Sequence, residues 1–256
     1  MNIGILQGRL SKPIDNFIQD FPSDTWEQEF ELLDELGLTH IEWVVNKKSF
    51  DASYLNIDCK KYSDKILSVS CDNLTNKNIA EKDFLDEQLD PVCKFAERNN
   101  IKSITIPLLE DSKIDGCLNK FISNITIYAN KYKDINFNFE LESDYKVALK
   151  LLKSHDNFYL TYDIGNITAC RFSHEGYIRN CFDYINVIHL KDKTINPVKN
   201  VEPGTGLANF NLVFKILKEL EYNGVFTMQT NRGQDGFEIE TVKRHKKFFE
   251  DLYEQI

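Results

Sequence analysis

No two cysteines of this sequence form a CxxC pair: Cys59, Cys71, Cys93, Cys117, Cys170 and Cys181 are scattered along the chain. A chain of this size needs no disulfide staples, so all six are expected to be reduced. No apolar run approaches the roughly 18 residues of a membrane span, and Met1-Asn2-Ile3-Gly4 has no basic region leading into an apolar stretch. The cytoplasm is the expected compartment, with no membrane partner. Basic residues nowhere gather into a stripe, and a net charge of −9 would repel a phosphate backbone, which excludes nucleic acid as a partner. Flexible linkers and low-complexity segments are missing as well. The 256 residues, 42% hydrophobic and 28% charged, therefore read as one globular domain over 1–256.

What is present is an alternation. Short β-type runs are each followed by a longer amphipathic stretch, the signature of repeated βα units around a parallel sheet. Eight strands are expected, at 2–7, 39–45, 66–71, 103–107, 135–142, 157–163, 184–190 and 224–230. Between them the clearest helices run over 81–99, 209–220 and 238–253. An earlier helix, which follows a loop containing Pro13 and Pro22, has Asp24 as its cap, Glu27 three residues on, and Gly37 as its end. The stretch 194–206 is expected to be the longest irregular loop.

The fifth run decides the architecture. Ile135, Phe137, Phe139 and Leu141 alternate with Asn136, Asn138, Glu140 and Glu142, so one face is apolar and the other polar. A doubly wound sheet buries both faces of such a strand. A (β/α)8 barrel of the TIM type instead turns the polar set inward, with Glu142 nearest the C-terminal mouth where barrel active sites sit. Three consecutive strands then end in metal-binding side chains: Glu142, Asp163 and His189. The eighth offers a neutral oxygen from Gln229. Two carboxylates and an imidazole suit Mn²⁺, Mg²⁺, Co²⁺ or Zn²⁺.

At these residues the chain resembles the xylose isomerase-like TIM barrels, the sugar phosphate isomerases/epimerases. The resemblance rests on Gly4-Ile5-Leu6-Gln7-Gly8-Arg9-Leu10-Ser11, Ile41-Glu42-Trp43, Ile106-Pro107-Leu108-Leu109-Glu110 and Leu141-Glu142-Ser143-Asp144. It continues through Tyr162-Asp163-Ile164-Gly165-Asn166, His189-Leu190-Lys191-Asp192-Lys193 and Gln229-Thr230-Asn231-Arg232-Gly233. It implies a divalent metal held by Glu142, Asp163, His189 and Gln229. The family usually has glutamate at the last position, and many members have histidine where this chain has Asn166. The epimerases of the group use two metal-bound glutamates as acid and base, and a glutamine cannot accept that proton.

The implied substrate is a small sugar or sugar phosphate, isomerised through an enediolate. Glu142 is the expected base, with Lys193 as a second catalytic candidate; Glu140, Glu110 or Asp72 could supply a further acid or base. Arg9, Glu42, Glu110, Asn166, Lys191 and Arg232 are the candidate substrate-binding residues. His40, His155, His174 and His245 are expected to be structural or surface groups. Three other functions compete: a lyase or dehydratase on a keto-sugar or inositol-like substrate, an abasic-site endonuclease, and a non-catalytic sugar-binding barrel. The endonuclease chemistry needs several histidines at strand ends, where only His189 stands. A homo-oligomer is compatible with all of them.

Overall fold

A computed structural model describes residues 1–14 and 19–256, so the loop between Pro13 and Pro22 falls partly outside the described residues. Eight parallel strands close into a barrel in the order β1-β10-β7-β6-β5-β4-β3-β2. They are β1 (Asn2–Leu6), β2 (Ile41–Val44), β3 (Ile66–Ser70), β4 (Ser103–Leu108), β5 (Asn136–Leu141), β6 (Phe158–Asp163), β7 (Ile185–Leu190) and β10 (Val225–Met228). The remaining two, β8 (Asp192–Ile195) and β9 (Val198–Val201), form an antiparallel hairpin apart from the barrel. The expected (β/α)8 architecture is thus the observed one, and the hairpin replaces the start of what reads in the sequence as an irregular loop.

The alternation in β5 does what the pattern requires. Phe137 and Phe139 point outward into the helical jacket, where Phe139 meets Phe121 of helix Leu118–Lys131 and Phe158 of β6 with ring centroids 5.9 and 5.0 Å apart. Asn138 points inward and donates to Ser103 Oγ at 2.7 Å, while its own Oδ1 accepts from Asn186 at 2.9 Å. The barrel interior is therefore a hydrogen-bonded polar core inside an apolar shell. Every inward polar group needs a partner there, because burial without one costs about 1–3 kcal/mol.

Two helix expectations change. The stretch 81–99 is two helices, Lys82–Gln88 and Asp90–Arg98, because Pro91 has no N–H to continue the ladder of the first. Helix Trp26–Leu36 starts from Thr25, with no side-chain cap from Asp24. Its end is as expected: Gly37 closes it in the left-handed region at φ 60°. No helix among the described residues is long and apolar enough to cross a membrane. All six cysteines are free.

Candidate active site

At the C-terminal mouth, neighbouring strands bring three side chains together. Glu140 is the penultimate residue of β5, Asp163 the last of β6 and His189 the penultimate of β7. Their ligand atoms all lie within 4.8 Å of one another, and all three residues are buried. His189 Nδ1 stands 3.4 Å from Glu140 Oε2 and 3.7 Å from Asp163 Oδ2. That nitrogen has no hydrogen-bond partner, and neither has the buried Oε1 of Gln229. Three converging donors around an unpaired buried imidazole nitrogen match the demands of a divalent ion, so the residues fit a metal.

Each ligand is held from behind. Asp163 also caps helix Ile164–Ala169, its Oδ1 accepting from Asn166 N at 2.7 Å, which turns Oδ2 toward the cluster. Asn166 Nδ2 donates to Glu140 Oε1 at 2.5 Å. The far side of His189 rests on Glu42: Nε2 lies 3.1 Å from Glu42 Oε1, which also accepts from Thr227 at 2.6 Å, while Ser68 donates to Oε2 at 3.1 Å. A buried carboxylate on the outer nitrogen selects the tautomer that leaves Nδ1 for the ion. Burial opposes charge on both partners, yet the His189 imidazolium holds Glu42 down at about 2, and Glu42, Asp163 and Glu140 hold His189 well above its ordinary value.

A cation already touches the cluster. Lys191 Nζ sits 2.7 Å from Asp163 Oδ2 and 3.7 Å from Glu140 Oε1. Although burial opposes it, this lysine and His189 hold the Asp163 carboxyl far below the usual carboxylate range. Gly165 makes the approach possible: a Cβ there would stand 3.0 Å from Lys191 Cγ and from its carbonyl oxygen.

Glu140, Lys191, Lys193, Asn166, Glu110 and Gln229 line one cavity of about 390 Å³, which Asp72 and Gln19 also border. Its volume is in the range of small-molecule sites. The structure corrects several expectations. Glu142, expected as ligand and base, is not in the cluster; it lies just past the end of β5, 3.2 Å from Lys113 Nζ, and accepts from Glu110 N at 3.3 Å. Glu140 stands in its place. The cause is the stagger of a closed barrel, about one residue per strand for eight strands and a shear of about 8. Glu140 pairs in register with Thr161, one pleat below Asp163, yet the climb of the rows around the axis brings its carboxylate to the cluster.

Glu42, expected to shape the pocket, is fully buried beneath His189. Trp43 faces outward among Phe21, Trp26 and Phe95. Arg9 and Arg232 border a separate crevice of about 10 Å³, with Arg9 Nε donating to Thr230 O and Arg232 to Ser11 O, so neither lines the cavity. Lys193 lies in the wall, bonded to Asn166 Oδ1. His40, His174 and His245 bond to Thr227, Tyr162 and Thr230, and His155 makes a partly exposed contact with Asn130.

The family model for xylose isomerase-like TIM barrels matches residues 30–252. The chain belongs to that family. Among solved structures, the chain superposes on an IOLI protein crystallised with a bound zinc atom, at a TM-score of 0.75 and 14% identity, over 100% of this chain and 99% of the other. A D-tagatose 3-epimerase-like protein gives a TM-score of 0.71 at 16% identity, over 99% and 97%. A xylose isomerase-like TIM barrel protein from Mycobacterium smegmatis, in complex with magnesium, gives 0.64 at 14%, over 98% and 96%. No curated protein matches the chain by sequence. At these identities the superpositions speak for the fold.

Proposed function

We propose that this xylose isomerase-like barrel is a divalent-metal-dependent isomerase or epimerase of a small sugar or sugar phosphate. The observation that carries the reading is the unpaired Nδ1 of His189 facing Glu140 and Asp163 beside a polar cavity of about 390 Å³. Solved relatives of the same fold hold zinc or magnesium, and others are sugar epimerases by name. A bound ion supplies Lewis-acid polarisation of the substrate carbonyl.

The chain's own groups do the rest. Glu140, the one cluster carboxylate in the cavity wall, takes the proton from the carbon beside the carbonyl and leaves an enediolate. Asn166 fixes one oxygen of that carboxylate and so aims the other. Lys191 and Lys193 place two ammonium groups at the wall, where negative charge develops on the substrate oxygens or where a phosphate would sit. The test is incubation of the protein, loaded with Mn²⁺, with a panel of ketoses and their phosphates in deuterated water. Deuterium entering at the carbon next to the carbonyl supports the reading. Absence of exchange across the panel, with no metal retained, rejects it.

A further inference from the structure

The family position on the last strand is a glutamine here, so the acid/base group that would stand opposite Glu140 is missing from its usual place. A carboxylate nevertheless borders the same cavity from another strand. Asp72 stands two residues past the end of β3, with Ser70 Oγ 3.4 Å from its Oδ1 and Gln19 donating to its Oδ2. Gln19 Oε1 in turn accepts from Gln229 Nε2 at 3.4 Å. One amide side chain thus spans the mouth from position 229 to position 72. Within the barrel, Asp163 and His189 flank Glu140 on the β6 and β7 side, whereas Asp72 lies two strands away on the other side of it.

We infer that Asp72 is the second acid/base group of this site, standing in for the carboxylate that Gln229 lacks and making the reaction a two-base epimerisation. The inference rests on the function proposed above. Asp72 is half-buried at the cavity wall, and desolvation first, then the charge of Glu140, push its carboxyl up to about 7 against the opposing pull of Lys191 and Arg9. A group in that range can both hold and release a proton at neutral pH. The balance is simple. Glu140 removes the proton, the C–H pair becomes the C=C bond, and the carbonyl pair moves to oxygen. Protonated Asp72 delivers its proton to the other face of the same carbon while the oxygen pair re-forms the carbonyl. The epimer leaves, and proton exchange with water resets both carboxyls without an oxidant or reductant.

The experiment uses the Mn²⁺-loaded protein and the ketose that shows exchange, in deuterated water. Asp72→Asn is expected to lower epimer formation by roughly 10²–10⁴-fold while the recovered starting ketose still gains deuterium, because Glu140 returns the label to its own face. That surviving exchange also shows the variant to be folded. Adding Gln229→Glu to Asp72→Asn is expected to restore part of the epimer. Epimer formation at the wild-type rate in Asp72→Asn, or loss of exchange together with epimer, overturns the role of Asp72. Wild-type exchange without any epimer overturns it too and leaves the isomerase reading standing; absence of wild-type exchange removes both.

Discussion

The rim of this barrel has two unlike arcs. Across β5, β6 and β7 it presents Glu140, Asp163 and His189, each braced by a second buried group, Asn166 or Glu42. Across β10, the β1 loop and β3 it presents Gln229, Gln19 and Asp72, joined by amide hydrogen bonds and carrying one carboxyl. The first arc gathers ionisable donors that fit a cation, and the second offers mostly neutral amides. The difference teaches that one barrel rim can gather ionisable donors on one side and hydrogen-bonding amides on the other.

The arcs can be broken separately. The largest effect is expected from Asp163→Asn or His189→Gln, which weaken or remove a candidate ligand: titration with Mn²⁺ should give little or no calorimetric signal, with circular dichroism as the check that the barrel has folded. Next comes the contrast between neighbours. Glu140→Gln should lower turnover by about 10²–10⁴-fold, as a lost acid/base group does, and Glu142→Gln should leave it within the error of the assay. Glu42→Gln removes the brace without touching the cavity, and metal affinity should fall by roughly 10–100-fold. Gln229→Glu would sharpen the comparison by adding charge to the neutral arc, with a smaller gain in Mn²⁺ affinity as its readout.

The smallest effect is one of pH. Burial holds His40 near a pKa of about 4 against an ordinary 6.5, with Glu42 pulling the other way. The unfolded chain then binds the proton more readily than the folded one, so the contribution of His40 to stability is complete above pH 6.5 and is lost as the pH falls toward 4. Urea midpoints of His40→Gln should fall less than those of the wild type over that interval.

Much of this was legible in the residues. Alternation in Ile135–Glu142 fixed both the barrel and the inward polar face, and each of the eight barrel strands lies within two residues of its expected ends. Asp163 and His189 could be brought together from the sequence because they stand at the C-terminal ends of strands that pair directly, Asp163 opposite His189. Glu140 was passed over for Glu142 because strand position read along the sequence carries no stagger, and stagger exists only once the sheet has closed. Glu42 was seen as inward but not as buried, since depth along the barrel axis depends on which side chain lies above it. The hairpin was hidden by its turn residues, Asn196 and Pro197, and by strands of four residues each. Asp72 carried a faint signal, an acidic residue shortly after a strand, and its tie to Gln19 depends on a contact across 53 positions of chain.

One buried side chain sets how easily this cavity could change what it accepts. Asp192 takes hydrogen bonds from the backbone of Gly204, Gly206 and Ala208 at 2.8–3.0 Å, which clamps the base of the β8–β9 hairpin. Lys193, Val198, Lys199 and Asn200 of that hairpin form one wall of the cavity, yet none of them pairs with a barrel strand. The wall is thus a cassette on a fixed hinge pin. Its tip could be rewritten for a longer, shorter or differently charged ligand, while the eight strands and the cluster of Glu140, Asp163 and His189 stay as they are.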